Sequence, residues 1–319
     1  MRLIPLVLIL FLIAACTPVR VPPGETVSAP VLQDSVLVTR DGVRLPLSRW
    51  EAQAPRAQIV ALHSFRDYRG AFDQLGPWFA QRGVSLIALD QRGFGDAPHR
   101  GLWAGGQALV DDARDLVSTL RRAAPDVPVY LLGESMGGSV AVALMGDEDP
   151  PDVAGLILAA PGVREGIPAR GLWDAGLWLS ERLMPGFSVT VKQDYDGELA
   201  PEAVNRFRND PKVLREIRAD TYAGLVSLAD LASERAGTVA VPMLVLYGET
   251  DRTIRQVAIC NLVRRHVTDE VDLRMRSHWA HLLLHGPDRE AVAGEILTWI
   301  EGERRDPSLA RHCDPPATP

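Results

Sequence analysis

The sequence predicts an α/β fold: a mostly parallel sheet of eight strands, helices on both faces, and a helical insertion. Three observations carry this. Short apolar runs alternate with helix-length stretches from Gln58 to Leu158, and the alternation resumes at Val241 and continues to about residue 302. Between them, the segment 163–238 carries apolar residues at helical spacing. Strands separated by helices need crossover connections, which are right-handed and make neighbouring strands parallel.

The elements follow in order. Val36-Leu37-Val38-Thr39 and Val43-Arg44-Leu45-Pro46-Leu47 flank Asp41-Gly42, a hairpin signal because Asp-Gly accepts the backbone angles of a tight turn. Strand 58–62 is followed by helix 68–82, strand 84–89 by helix 105–123, and strand 127–132 by helix 136–146, before strand 153–158. VPMLVLYG, from Val241, is apolar at nearly every position, as a strand covered on both faces must be. A helix at about 253–265, a strand at Val271 to Met275 and a helix at about 287–302 complete a core spanning 35–162 and 239–302. The interval 163–238 brings Leu172, Ala175, Leu179 and Leu183, with Trp173 and Trp178 among them. Lying between two strands of one sheet, it is an insertion rather than a second domain. The end, RRDPSLARHCDPPATP, is polar and Pro-rich, so residues 303–319 are expected to be disordered.

Composition narrows the class. The 319 residues hold 34 Lys+Arg against 41 Asp+Glu, a net charge of -7, with 46% hydrophobic residues and 3 Cys. That is long enough for a substantial core without disulfide staples. A net negative chain without a basic run is not expected to bind nucleic acid, whose phosphates are held by clustered Lys and Arg. Of the cationic residues only Lys192 and Lys212 are lysines.

The first residues, MRLIPLVLILFLIAAC, place one positive charge before an apolar run from Leu3 to Ile13. This is a secretory signal, residues 1–15. Eleven helical residues reach roughly 16 Å, about half the hydrocarbon core, too short for a lasting span. Ile13-Ala14-Ala15-Cys16 resembles the bacterial lipobox, which implies cleavage before Cys16 and lipidation of that cysteine. Thr17 stands where an aspartate tends to retain such lipoproteins at the inner membrane, so the expected place is the periplasmic face of the outer membrane in a bacterial envelope. Acyl chains would then anchor the protein, and residues 16–34, rich in Pro and small polar residues, would be a tether. On that oxidising side Cys260 and Cys313 are able to pair or to stay free.

Gly133-Glu134-Ser135-Met136-Gly137 fits G-x-S-x-G. At this Gly and Ser content the pentapeptide arises by chance in about one chain in ten. Its context makes it specific: it sits between the apolar strand Val127 to Leu132 and a helix-compatible run, where a sharp turn lifts a serine hydroxyl clear of the sheet. A serine needs a base, and the base needs an acid to orient it. In this fold the acid precedes the histidine. Asp251, directly after a buried strand in LYGETD, is the best placed acid, with Glu249 and Asp269 as competitors. Three histidines, His278, His281 and His285, follow the strand 271–275, and spacing alone does not choose among them.

These residues resemble the α/β-hydrolase fold family, and within it the monoacylglycerol lipase-like branch, also described as serine aminopeptidase S33-like or lysophospholipase-like. The resemblance runs from about Ser35 to Gly302. It rests on Leu62-His63-Ser64-Phe65, Asp90-Gln91-Arg92-Gly93-Phe94-Gly95, GESMGGSVAV, YGETD and HLLLHGPDRE. In that family the catalytic histidine lies six residues before a proline and eight before an arginine. His281 matches through Pro287 and Arg289, which leaves His278 and His285 as flanking loop residues.

The resemblance implies a serine hydrolase acting on carboxylic esters of single-chain lipids, with Ser135, Asp251 and His281 catalytic. It implies oxyanion donors from the Met136 and Phe65 amides and no cofactor or metal. Ser64 stands where the family loop usually has glycine. The insertion becomes a cap, with Trp173 and Trp178 candidates to line the substrate's entrance. The alternatives are a small-ester esterase or aminopeptidase on the same residues, and an inactive lipid-anchored binding protein of the envelope.

Overall fold

The computed structural model describes residues 21–164, 170–191, 195, 197–302 and 313. The expected signal, Cys16 and most of the tail lie outside them. Among the described residues no helix is long and apolar enough to cross a membrane.

The chain opens with three antiparallel strands, β1 (Val31–Leu32), β2 (Val36–Val38) and β3 (Arg44–Trp50). Then come β4 (Ala57–Leu62), α1 (Leu75–Ala80), β5 (Val84–Leu89), α2 (Gly106–Ala123), β6 (Val129–Glu134), α3 (Met136–Met145) and β7 (Gly155–Ala159). The insertion holds α4 (Arg170–Leu183), β8 (Ser188–Thr190), α5 (Pro201–Asn209), β9 (Glu216–Arg218) and α6 (Ala219–Arg235). The core resumes with β10 (Met243–Gly248), α7 (Gln256–Arg265), β11 (Val271–Arg276) and α8 (Arg289–Ile300).

The sheet has nine strands in the order β1-β2-β3-β5-β4-β6-β7-β10-β11, one more than expected. The addition is β1, where Val31 and Leu32 pair with Val38 and Leu37. The segment expected to be a tether thus meets the body within residues 21–34: Val27 N–H donates to the Arg40 carbonyl at 2.8 Å, Gly24 N–H to Asp41 Oδ2 at 3.0 Å, and Val31 and Leu32 find an open strand edge. Every neighbour from β5 onward is parallel. The chain leaves β4 for β5 on one side and returns to β6 on the other, and this reversal opens a crevice at the strands' C-terminal ends.

Packing explains the elements. All ten residues of α3 are buried, so it has no polar face. α2 is amphipathic, burying Leu109, Val110, Ala113, Leu116, Val117 and Leu120 at helical spacing. The insertion is not purely helical, since β8 and β9 form a separate antiparallel pair. Strands of three residues carry too little alternation to be read from sequence. Asp210 caps the C-terminal end of α5. Cys260 on α7 is disulfide-bonded to Cys313, so of the two states left open by the sequence the paired one is found, and the tail is tied to the body at that residue.

Candidate active site

Ser135 sits between β6 and α3 with φ 50° and ψ −114°, in the left-handed region that a non-glycine residue rarely adopts. The surrounding chain holds it there. Its N–H donates to the Ala159 carbonyl at 3.0 Å, and its carbonyl accepts from Gly162 N–H at 2.8 Å. Glycines make the approach of α3 to the sheet possible. A Cβ on Gly137 would stand 2.1 Å from the Leu62 carbonyl oxygen, and one on Gly133 would stand 2.3 Å from that of Gly137.

His281 Nε2 lies 2.9 Å from Ser135 Oγ, and His281 Nδ1 lies 2.8 Å from Asp251 Oδ2. Asp251 follows β10, and its Oδ1 accepts the backbone N–H groups of Thr253 at 2.6 Å and Ile254 at 3.0 Å. Its side chain is fully buried. The two other candidate acids, Glu249 and Asp269, are exposed. His278 is 62% exposed and 3.4 Å from Asp288, away from this chain of contacts.

His285 does not fit its expected place as an ordinary loop residue. It is buried at 3% exposure with Nε2 2.9 Å from Glu134 Oε2. Sequence reading also missed Glu134, Asp67 and Arg206, which surround it. The available signal was Glu134 itself, a charged residue that closes an otherwise apolar strand directly before the serine.

Met136 is the first residue of α3, where a backbone N–H has no carbonyl one turn earlier to accept it. Phe65 and Ser135 line the same cavity. Ser64 is buried and its φ is not positive; the residue in the left-handed region of this loop is Arg66, at φ 74°. A side chain at Ser64 is therefore compatible with the loop. His63 braces it: burial pushes its pKa below the ordinary range, its Nδ1 contacts the Ser64 carbonyl at 2.9 Å, and Nε2 accepts Gln91 N–H at 3.1 Å.

Above Ser135 and His281 opens a cavity of about 670 Å³, walled by apolar residues of the insertion including Leu177, Phe187, Val189, Ile217 and Leu225. A second cavity of about 360 Å³ meets Ser135 and Met136 from the side of Val163 and Ile254. Trp178, expected to line the entrance, does not. It is 54% exposed, with the Arg182 guanidinium 4.2 Å from its ring centre, because α4 turns Leu177 inward instead. The side chain of Trp173 lies outside the described residues. Among the described residues no group of three His, Cys, Asp or Glu side chains is arranged to hold a metal ion.

Comparison with known proteins agrees with this architecture. The family model for serine aminopeptidase, S33, matches residues 53–288. The monoacylglycerol lipase of Mycolicibacterium smegmatis is 26% identical over 265 residues, covering 81% of this chain and 93% of that protein. The monoglyceride lipase of Rattus norvegicus is 26% identical over 271 residues, covering 83% and 89%. Among solved structures, the monoacylglycerol lipase of Paleococcus ferrophilus superposes with a TM-score of 0.69 at 18% identity, covering 81% of this chain and 98% of that one. A soluble variant of the Saccharomyces cerevisiae monoglyceride lipase gives 0.70 at 16% identity, covering 89% and 99%. The chain belongs to the serine aminopeptidase S33 family of α/β-hydrolases.

Proposed function

We propose that the protein is a carboxylic-ester hydrolase of single-chain lipids, such as monoacylglycerols or lysophospholipids, working by acyl transfer. Ser135 Oγ attacks the ester carbonyl while His281 Nε2 takes its proton, and Asp251 holds Nδ1–H and stabilises the imidazolium. The Met136 and Phe65 amides receive the negative charge on the carbonyl oxygen. His281 returns the proton to the departing alcohol, and water, activated by the same imidazole, releases the acid from Ser135. The observation that carries this reading is the Asp251–His281–Ser135 chain of contacts ending at the floor of an apolar cavity. The lipase names of several relatives support the choice of lipid ester.

A fluorophosphonate probe tests the chemistry: it labels the protein but not Ser135→Ala. Failure of the folded protein to label overturns the reading. Turnover of a monoacylglycerol, a lysophospholipid, a short p-nitrophenyl ester and an aminoacyl amide then ranks the substrates. A preference for the amide or the short ester replaces the lipid assignment.

The leader supports a second part of the reading: a mature chain beginning at lipidated Cys16, anchored at the periplasmic face of the outer membrane. The Cys260–Cys313 bond is in keeping with an oxidising compartment. Metabolic labelling with palmitate is expected for the protein and not for Cys16→Ser; an unlabelled protein removes the anchor.

A further inference from the structure

Behind the site lies a buried polar cluster that acyl transfer does not use. Glu134 precedes Ser135, His285 lies four residues after His281, Asp67 lies two residues after Phe65, and Arg206 comes from α5 in the cap. Arg206 reaches Asp67 Oδ2 at 2.9 Å and His285 Nδ1 at 3.3 Å. A guanidinium only donates, so Nδ1 accepts and the ring proton sits on Nε2. That nitrogen faces Glu134 Oε2 at 2.9 Å and Asp67 Oδ2 at 3.8 Å. Neither Glu134 Oε2 nor His285 Nε2 makes an aligned hydrogen bond among the described residues, so their 2.9 Å approach is a close polar contact held in place by the groups around it.

The same segments are joined by backbone. Leu284 N–H donates to Glu134 Oε1 at 2.9 Å, and Ala200 N–H, at the start of α5, donates to the His285 carbonyl at 2.9 Å. On the other flank Leu214 N–H of the cap donates to the Arg66 carbonyl at 2.9 Å, and Arg66 Nε donates to the Leu214 carbonyl at 2.8 Å. None of Glu134, Asp67, His285 and Arg206 lines the large cavity, so they act on substrate only through their neighbours.

We propose that Glu134 and His285, clamped by Asp67 and by Arg206 from the cap, are positioning residues that hold the His281 and Phe65 segments in register with Ser135. The seating of α5 is thereby coupled to turnover, while the exposed α4 side of the cap is left to vary. This rests on the acyl-transfer reading of Ser135. A shift of about 1 Å in a reacting group is enough to lower turnover about 100-fold, so a cluster that never touches substrate has this much leverage.

The test uses the full-length protein, a p-nitrophenyl ester, fluorophosphonate labelling and thermal unfolding. Glu134→Leu and His285→Leu are each expected to lower kcat about 10- to 100-fold with KM changed less than about twofold. The double variant is expected to lose no more than the worse single one, and His285→Gln, whose amide N–H can still donate toward Glu134, restores most of kcat. Arg206→Met, less enclosed, is expected to lower kcat about tenfold while folding intact. Losses confined to KM, fully additive losses, or a folded Arg206→Met with unchanged kcat overturn the proposal. Should the leucine variants not fold, His285→Gln and Arg206→Met decide it, the first retaining and the second losing kcat. A wild-type protein that does not label at all overturns the reading of Ser135 instead.

Discussion

Asp251 meets His281 with only one oxygen to offer. Its Oδ1 is occupied by the N–H groups of Thr253 and Ile254, leaving Oδ2 to receive Nδ1–H at 2.8 Å. This fixes the imidazole as the tautomer that accepts at Nε2, where Ser135 lies.

The arrangement makes Asp251→Asn informative. Two backbone donors will keep the amide oxygen at the Oδ1 place, so the NH₂ group must face Nδ1 and convert it to an acceptor. The proton then moves to Nε2 and the serine loses its base. We expect kcat to fall about 10⁴-fold with folding retained, as measured by ester turnover and thermal unfolding. Retention of more than a tenth of the activity would place the acid elsewhere.

His281→Ala is expected to cost turnover on the same scale, whereas His278→Ala, which changes an exposed imidazole, is expected to stay within twofold of wild type. Any other ranking moves the base.

Much of this was legible in the sequence, for local reasons. Continuous apolar strands and a glycine-flanked serine announce themselves because burial on both faces and a sharp turn each restrict residue type. Asp251 was legible as the best placed acid because it follows a buried strand, but His281 needed the resemblance, since nothing in the spacing says which of three histidines folds back on it. His285 was read as a loop residue because burial of a histidine depends on Glu134, Asp67 and Arg206, which arrive from three other parts of the chain. Trp178 was misplaced because helical periodicity says that one face is apolar without saying which apolar side chain turns inward.

Glycine substitutions separate close approach from helix propensity. Gly137→Ala would drive a methyl into the Leu62 carbonyl, so a loss of about 3 kcal/mol or more is expected. Gly294 on α8 has nothing within 4 Å of an added Cβ, and its replacement by alanine is expected to stabilise by about 0.5–1 kcal/mol. Urea unfolding of both variants checks the pair; equal effects would remove the elbow's steric explanation.

Acid stability follows from Asp41. Burial alone would raise its pKa, but the Arg92 guanidinium and the Thr39 hydroxyl outweigh this and hold it well below the usual carboxylate range. A folded-state pKa below the unfolded value of 3.8 gives stability that is present above about pH 4 and lost as pH falls further. Asp41→Asn is expected to cost about 3 kcal/mol at pH 7, the low end for one partner of a buried pair because Arg92 keeps Asp112. It should also flatten the stability curve between about pH 4 and 2. Unfolding free energies at several pH values check both; an unchanged acid slope excludes Asp41 as the source.

The cavity's apolar wall makes a prediction about chain length. Ile217, on β9, is buried and faces the space above Ser135. Replacing it with tryptophan puts an indole where a long acyl chain would lie, without touching Ser135, His281 or Asp251. Each methylene that loses its place in an apolar pocket costs about tenfold or more in kcat/KM, so Ile217→Trp is expected to lower kcat/KM for long-chain monoacylglycerols at least about tenfold. Short p-nitrophenyl esters, which end before the indole, are expected to stay within about threefold. The fluorophosphonate labelling rate should be unchanged, since the probe reports the nucleophile and not the wall. Equal losses for long and short esters would mean that this cavity does not hold the acyl chain, and would move it to the smaller cavity beside Val163 and Ile254.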